Sequence, residues 1–187
     1  MRTKYKPWAL PYLKEHTEIA SPTFVKDDPF YDSSLSIEVG GGKGDFIVGL
    51  AKLNPDIHYL MIERVISVAA PAVKKVIENQ LSNVRVIYDN FINIIHDIPT
   101  NSVNKIYLNF SDPWPKKKHA KRRLTAPSFL IDYARILKPQ GQIVLKTDQK
   151  ILYDFTKNNI SQTKFQIIID NSNYNELDKN DVLTEYE

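Results

Sequence analysis

Ile37-Glu38-Val39-Gly40-Gly41-Gly42-Lys43-Gly44-Asp45-Phe46 is an apolar run that breaks into glycine and resumes with helical spacing. Leu35–Val39 reads as a buried strand, and Phe46, Leu50 and Leu53 recur on one helical face. A glycine loop between strand and helix lets a ligand approach the backbone closely and turns helix N–H groups toward it. Dinucleotides and S-adenosylmethionine are both held in this way. The dinucleotide fingerprint requires G-x-G-x-x-G; here Gly40, Gly42 and Gly44 give G-x-G-x-G, with Glu38 two residues before the first glycine. An acid there repels a pyrophosphate and attracts the sulfonium and ammonium groups of S-adenosylmethionine, so the electrostatics favour the methyl donor.

Outward from this loop the chain alternates between two patterns. Short apolar runs at His58–Ile62, Val84–Tyr88, Val103–Asn109, Gln142–Lys146 and Phe165–Ile169 predict further strands. Between them Val65, Val68, Ala72, Val76 and Ile77 form a helical stripe, as do Phe129, Tyr133, Ile136 and Leu137, and Leu152, Phe155 and Ile160. Strand alternating with helix predicts an α/β fold with a doubly wound, mostly parallel, Rossmann-like sheet. Residues 1–33, rich in Pro, Lys and Asp, read as an irregular basic arm partly ordered by Trp8, Leu10, Tyr12 and Leu13, and 34–187 as one domain.

The bulk composition bounds the function. At 187 residues, 42% hydrophobic and 25% charged, the chain fits one soluble domain. It has no cysteine, and His16, His58, His96 and His119 are scattered, so neither disulfides nor a metal site is expected. The N-terminus lacks the apolar core of a secretory signal, and Val65–Val73 is too short to span a bilayer. The expected location is cytoplasmic, with no membrane partner. Residues 1–14 and 112–123 together hold ten of the 25 basic residues and one of the 22 acids, leaving fifteen bases against twenty-one acids elsewhere. An acidic body with two basic segments suggests a polyanion bound at a defined place.

In a doubly wound sheet, ligands bind outside the carboxyl ends of the strands. Glu63, ending the second apolar run, can accept from the ribose hydroxyls of either cofactor class. Asp89 or Asn90, after the third, can hold an adenine amino group, although a plain turn reads almost as well. Asn109-Phe110-Ser111-Asp112-Pro113-Trp114-Pro115-Lys116-Lys117-Lys118-His119-Ala120-Lys121-Arg122-Arg123-Leu124 follows the fourth. Pro113 and Pro115 stiffen it. Trp114 offers a stacking surface for a base, and Lys116, Lys117, Lys118, Lys121, Arg122 and Arg123 offer phosphate contacts. An acid, an aromatic and a cationic strip together suit a nucleic-acid active site.

These segments resemble the bacterial tRNA (guanine-N7)-methyltransferases of the TrmB type. The matching stretches are R-x-K-x-K-P-W-A from Arg2, I-E-V-G-G-G-K-G-D-F-I from Ile37, I-E-R from Ile62, N-F-S-D-P-W-P-K-K-K-H-A-K-R-R-L from Asn109, K-T-D from Lys146 and T-E-Y-E from Thr184. The resemblance implies a class I S-adenosylmethionine-dependent methyltransferase. It would methylate N7 of the guanine at position 46 in the tRNA variable loop and release S-adenosylhomocysteine. By motif position it assigns Glu38, Glu63 and the Asp89-Asn90 pair to the methyl donor and Asp112 to catalysis. It assigns Lys116, Asp148, Thr184 and Glu187 to the tRNA. The family continues past T-x-Y-E into a last antiparallel strand; a chain ending at Glu187 is expected to be shortened there and to lack that strand. Monomer and homodimer both remain open. So do an amino-methylating base methyltransferase, a nicotinamide oxidoreductase and a non-catalytic tRNA-binding form.

Overall fold

The computed structural model describes residues 4–171 and 182–184. In chain order the elements are α1 (Ala9–Glu15), β1 (Ala20–Ser21), β2 (Leu35–Val39), α2 (Asp45–Leu53), β3 (His58–Ile62), α3 (Ile66–Glu78), β4 (Val84–Ile87), α4 (Phe91–Ile94), β5 (Val103–Asn109), α5 (Pro127–Ile136), β6 (Leu137–Lys146) and α6 (Lys150–Ile160). Two 3-10 turns lie at Pro29–Asp32 and Lys117–Arg122. The strands form one six-stranded sheet in the order β1-β4-β3-β2-β5-β6, parallel at every pairing.

All five residues of β2 are buried, as a central strand covered on both faces requires. Side chains alternate between those faces. Leu35, Ile37 and Val39 join Leu60, Ile62, Phe91, Phe129 and Tyr133 in one core. Tyr59 and Met61 turn the other way, to Ala9, Leu13, Ile47, Val48, Ala72 and Val73. Helix α5 opens with Pro127 at its first position, where no amide donor is needed, and buries Phe129, Leu130, Tyr133 and Ile136. In α2 the buried set is Phe46, Ile47, Val48 and Ala51, whereas Leu53 is 65% exposed. The apolar stripe on α2 is therefore shorter than the sequence pattern implied.

Two expectations fail on local structure. Phe165–Ile169 forms no strand: Phe165 packs against the core, but Ile167, Ile168 and Ile169 are exposed. A strand needs a paired neighbour, and among the described residues β6 is the edge of the sheet with no strand beyond it. No antiparallel strand occurs among the described residues; 172–181 and 185–187 lie outside them. The segment before residue 34 is not irregular throughout. It carries α1, whose Ala9 and Leu13 are fully buried, and β1, which pairs Ala20 with Val86 and Ser21 with Ile87. Seven helical residues are too few for a 3.6-residue period to stand out.

Candidate active site

Strand β2 pairs with β3 on one side and β5 on the other, so the strand order reverses at β2. That reversal opens a crevice at the carboxyl ends of β2 and β5. Glu38 near the end of β2 and Asn109 at the end of β5 meet there: Asn109 Nδ2 donates to Glu38 Oε1 at 3.0 Å. Glu38 is 2% exposed. Burial, aided by the nearby Glu63 and opposed by the Asn109 bond, pushes its carboxyl up to about 7. Glu38 Oε2 and Asn109 Oδ1 are buried with no hydrogen-bond partner among the described residues. Two unsatisfied acceptors side by side need a donor, and a cationic one repays the desolvation of the acid best.

The glycine loop closes over these groups. Glu38, Gly40, Gly41, Gly42, Asp45, Phe46, Asn109 and Thr184 surround one small pocket. Gly40, Gly42 and Gly44 all have positive φ. Gly44 also lies where a Cβ would come 2.7 Å from Ala72 Cβ, so α2 meets α3 only because the side chain is missing. At Gly41 a Cβ would collide with Met61 and reach 3.0 Å from Glu38 Oε2.

Glu63 is buried and acts on the backbone. Its Oε2 accepts from Gly42 N at 3.2 Å and its Oε1 from Val65 N at 2.8 Å, which ties the glycine loop to the start of α3. Burial is the main cause of its raised pKa, and those two bonds oppose it. Each oxygen keeps a second lone pair. Asp89 accepts from Asn90 N at 2.6 Å and from Asn93, and Asn90 caps α4 through Ile92 N. Both residues are thus engaged in the turn that opens α4.

The loop after β5 is strained. Phe110 and Trp114 both hold positive φ, an outlier for a bulky residue. Such backbone strain persists only where the surroundings impose it, and it gathers at functional sites. Between these two residues stands Asp112, exposed, with Arg64 Nη2 donating to its Oδ2 at 3.2 Å. Because β3 and β5 flank β2, this ion pair bridges over the end of β2. Arg64 and Asn109 are the site residues that sequence reasoning did not assign, although each lies inside a quoted motif. A polar residue at a buried strand end was the available signal for Asn109.

Lys116, Lys117, Lys118, Lys121 and Arg122 are exposed on and beside the 3-10 turn, so the cationic strip exists. Arg123 is not part of it. It is 5% exposed, donates to Pro113 O at 2.8 Å and Trp114 O at 3.0 Å, and lies over the Phe155 ring. It staples the strained loop from inside; a run of bases in sequence does not reveal which one the turn rotates inward. Trp114 is half-buried, with Arg122 over its ring at 4.9 Å and the edge of His119 against it. Asp148 is exposed just past β6. Thr184 lines the pocket of Glu38, and Glu187 lies outside the described residues. Among the described residues no group of three or more His, Cys, Asp or Glu side chains could hold a metal ion. No described helix is long and apolar enough to cross a membrane.

Residues 32–187 match a family described as "Putative methyltransferase". Over its full length the chain is 41% identical to the tRNA (guanine-N7)-methyltransferase of Staphylococcus haemolyticus, of which it covers 90%. Over 87% of its length it is 42% identical to the protein of the same name from an Exiguobacterium species, covering 78% of that protein. Two solved structures share the fold. The aminoglycoside resistance methyltransferase NpmB1 superposes with a TM-score of 0.53 at 18% identity, over 75% of this chain and 69% of that one. The geranyl diphosphate C-methyltransferase of Streptomyces coelicolor, in complex with Mg2+, geranyl diphosphate and S-adenosyl-L-homocysteine, gives 0.54 at 15% identity, over 81% and 57%. The fold is that of the class I S-adenosylmethionine-dependent methyltransferases.

Proposed function

This chain belongs to the bacterial tRNA (guanine-N7)-methyltransferase family, and from that premise we propose that it methylates N7 of the guanine at position 46 in the tRNA variable loop, in the cytoplasm where its substrate is found. The observation that carries this reading is the pair of unsatisfied buried acceptors, Glu38 Oε2 and Asn109 Oδ1, under a glycine loop at the switch in strand order. They fit the ammonium group of S-adenosylmethionine, which supplies an electrophilic methyl when bound. The positive φ of Gly40, Gly42 and Gly44 folds the loop closely over the same place. Glu63 then takes the ribose hydroxyls, and Asp89 or Asn90 the adenine amino group, with the lone pairs that their bonds to the backbone leave over.

Guanine N7 carries an in-plane lone pair and loses no proton when it attacks. The N7–methyl bond forms as the methyl–sulfur bond breaks, and the sulfur keeps the electron pair. No general base is required, so Asp112 has a different task. Its carboxylate accepts from the guanine N1–H and exocyclic amine, which fixes the base and offsets positive charge developing on the ring. Arg123 serves that alignment by holding the Pro113 and Trp114 carbonyls. Most of the acceleration then comes from bringing two reactants into line. Lys116, Lys117, Lys118, Lys121 and Arg122, with Asp148, Thr184 and Glu187, are the groups left to engage the tRNA.

The test is incubation of bulk tRNA with methyl-labelled S-adenosylmethionine followed by nucleoside analysis. Label in 7-methylguanosine, mapped to the variable loop, is the expected result. Label in an amino-methylated adenine or cytosine, or tRNA binding without methyl transfer, refutes the reading.

A further inference from the structure

A second cleft, of about 440 Å³, opens beside this site between the N-terminal arm and the start of α3. Its walls include Tyr5, Lys6, Leu10, Arg64, Val65 and Ile66. The arm is pinned there by Lys6 N, which donates to Ser67 Oγ at 3.0 Å across 61 residues of sequence. None of the lining residues is acidic. Lys6 has no carboxylate partner among the described residues; its ammonium lies 5.6 Å from the Trp8 ring centroid. Tyr5 is 83% exposed and stacks on no other ring among the described residues. Arg64 joins the cleft to the active site. One of its five donors holds Asp112 Oδ2 at 3.2 Å, and the remaining ones are available to a second anion.

We propose that this cleft is the subsite for the nucleotide next to the methylated guanine. The inference rests on the tRNA-methylating reading of the neighbouring site. The nucleotide's phosphate lies between Lys6 and Arg64, and its base stacks on Tyr5 above the apolar floor of Leu10, Val65 and Ile66. Three features of the cleft together select an RNA nucleotide. The volume lies in the range of small-ligand sites. Lys6, with no carboxylate partner among the described residues, and the Arg64 donors that Asp112 leaves over fit a phosphate. An exposed aromatic beside an apolar floor fits a base without regard to its identity. The Arg64–Asp112 contact places the subsite one side chain away from the group proposed to orient the guanine. A nucleotide held here fixes the adjoining guanine before Asp112 engages it.

Equilibrium binding of the whole chain to tRNA, followed by fluorescence anisotropy, tests this. Three RNAs are compared: intact tRNA, and tRNAs with an abasic residue on the 5′ or the 3′ side of the variable-loop guanine. Tyr5→Ala is expected to weaken binding of intact tRNA roughly 5- to 150-fold, the loss of one base–aromatic stack. One abasic RNA should show the same loss with the parent chain, and Tyr5→Ala should weaken that RNA no further. Lys6→Ala should lower the slope of log affinity against log salt by roughly 0.7, one phosphate contact. Tyr5 is exposed and Lys6 half-buried, and unchanged melting temperatures confirm that the arm stays seated in both variants. The proposal is overturned if both variants bind all three RNAs like the parent. It is equally overturned if the Tyr5→Ala loss is undiminished on both abasic RNAs, which would make Tyr5 a contact to something other than the flanking base. Binding is read without turnover, so these outcomes stand apart from whether the parent chain forms 7-methylguanosine, the result on which the functional reading depends.

Discussion

Glu38→Gln should make the free protein more stable in mild base while weakening its hold on S-adenosylmethionine. Glu38 is 2% exposed and its carboxyl is pushed up to about 7 from 4.5, chiefly by burial. A group whose folded pKa lies above its unfolded value favours the fold at low pH and loses that advantage as pH rises through the folded value. The free chain thus carries a penalty that grows from about pH 4.5 to 7 and levels off above. A difference of this size corresponds to about 3 kcal/mol, since each pKa unit is about 1.4 kcal/mol. Gln cannot ionise, so the stability of the variant relative to the parent should rise by up to about 3 kcal/mol between pH 5 and pH 8. For a chain of this length that is a relative gain of about 5–10 °C in melting temperature. Comparing two pH values cancels the fixed cost of pointing an amide N–H where Oε2 stood. Binding moves the other way. On the proposed assignment the ammonium of the methyl donor holds Glu38 ionised, so losing that charge should weaken affinity at pH 8 by about 1.5–3 kcal/mol, roughly 10- to 150-fold. Parental affinity should fall as pH drops from 7.5 to 5.5, and the variant's should stay nearly flat. Melting curves and calorimetric titration at both pH values read these effects. A variant whose stability tracks the parent at both would show that the carboxylate is not strained. One that binds the donor as the parent does would remove Glu38 from the site.

Asp112→Ala should slow single-turnover methylation about 10²–10³-fold with little change in affinity for the methyl donor, and Asp112→Asn should do nearly as badly, because it turns an acceptor into a donor. A parental single-turnover rate in either variant defeats that role. Arg123→Ala removes two charge-assisted bonds from a buried guanidinium, so chemical denaturation should show a loss on the order of 2–5 kcal/mol; a change under about 0.5 kcal/mol, the usual range for a surface site, would mean that the loop holds itself. Replacing Lys117, Lys118, Lys121 and Arg122 by Ala should flatten the salt dependence of tRNA binding by roughly 0.7–0.9 per lost phosphate contact. An unchanged slope would leave the strip as a solvated surface.

The parts of the fold that could be read from sequence are those set by nearest neighbours along the chain. Leu35–Val39 breaking into glycine, the stripe on α3 and the loop after Asn109 each carry their own pattern, and the structure places them as strand, helix and strand-end loop. Glu38 stood out because an acid two residues before a glycine loop repels a pyrophosphate and attracts a cationic methyl donor. The misread parts are those decided by distant partners. Phe165–Ile169 has the composition of a strand, but no described strand lies beside it. Arg123 is indistinguishable from Arg122 in the run and differs only in reaching two carbonyls and Phe155. Helix α1 depends on α3, whose Ala69, Ala70 and Val73 share a core with Ala9 and Leu13. Arg64 became a site residue only through Asp112, 48 positions away.

The reversal of strand order at β2 bears on how the protein comes off the ribosome. Glu38 and Asn109 are 71 residues apart, and β5 is made after β2, β3 and β4. Until β5 emerges and pairs, the nascent chain has the glycine loop and the acid but not the partner that completes the pocket. Closing so long a loop comes before the contacts that reward it, which slows parallel sheets. On the proposed assignment the methyl donor is therefore a ligand of the finished sheet alone, and by mass action its cellular concentration stabilises only chains that have docked β5.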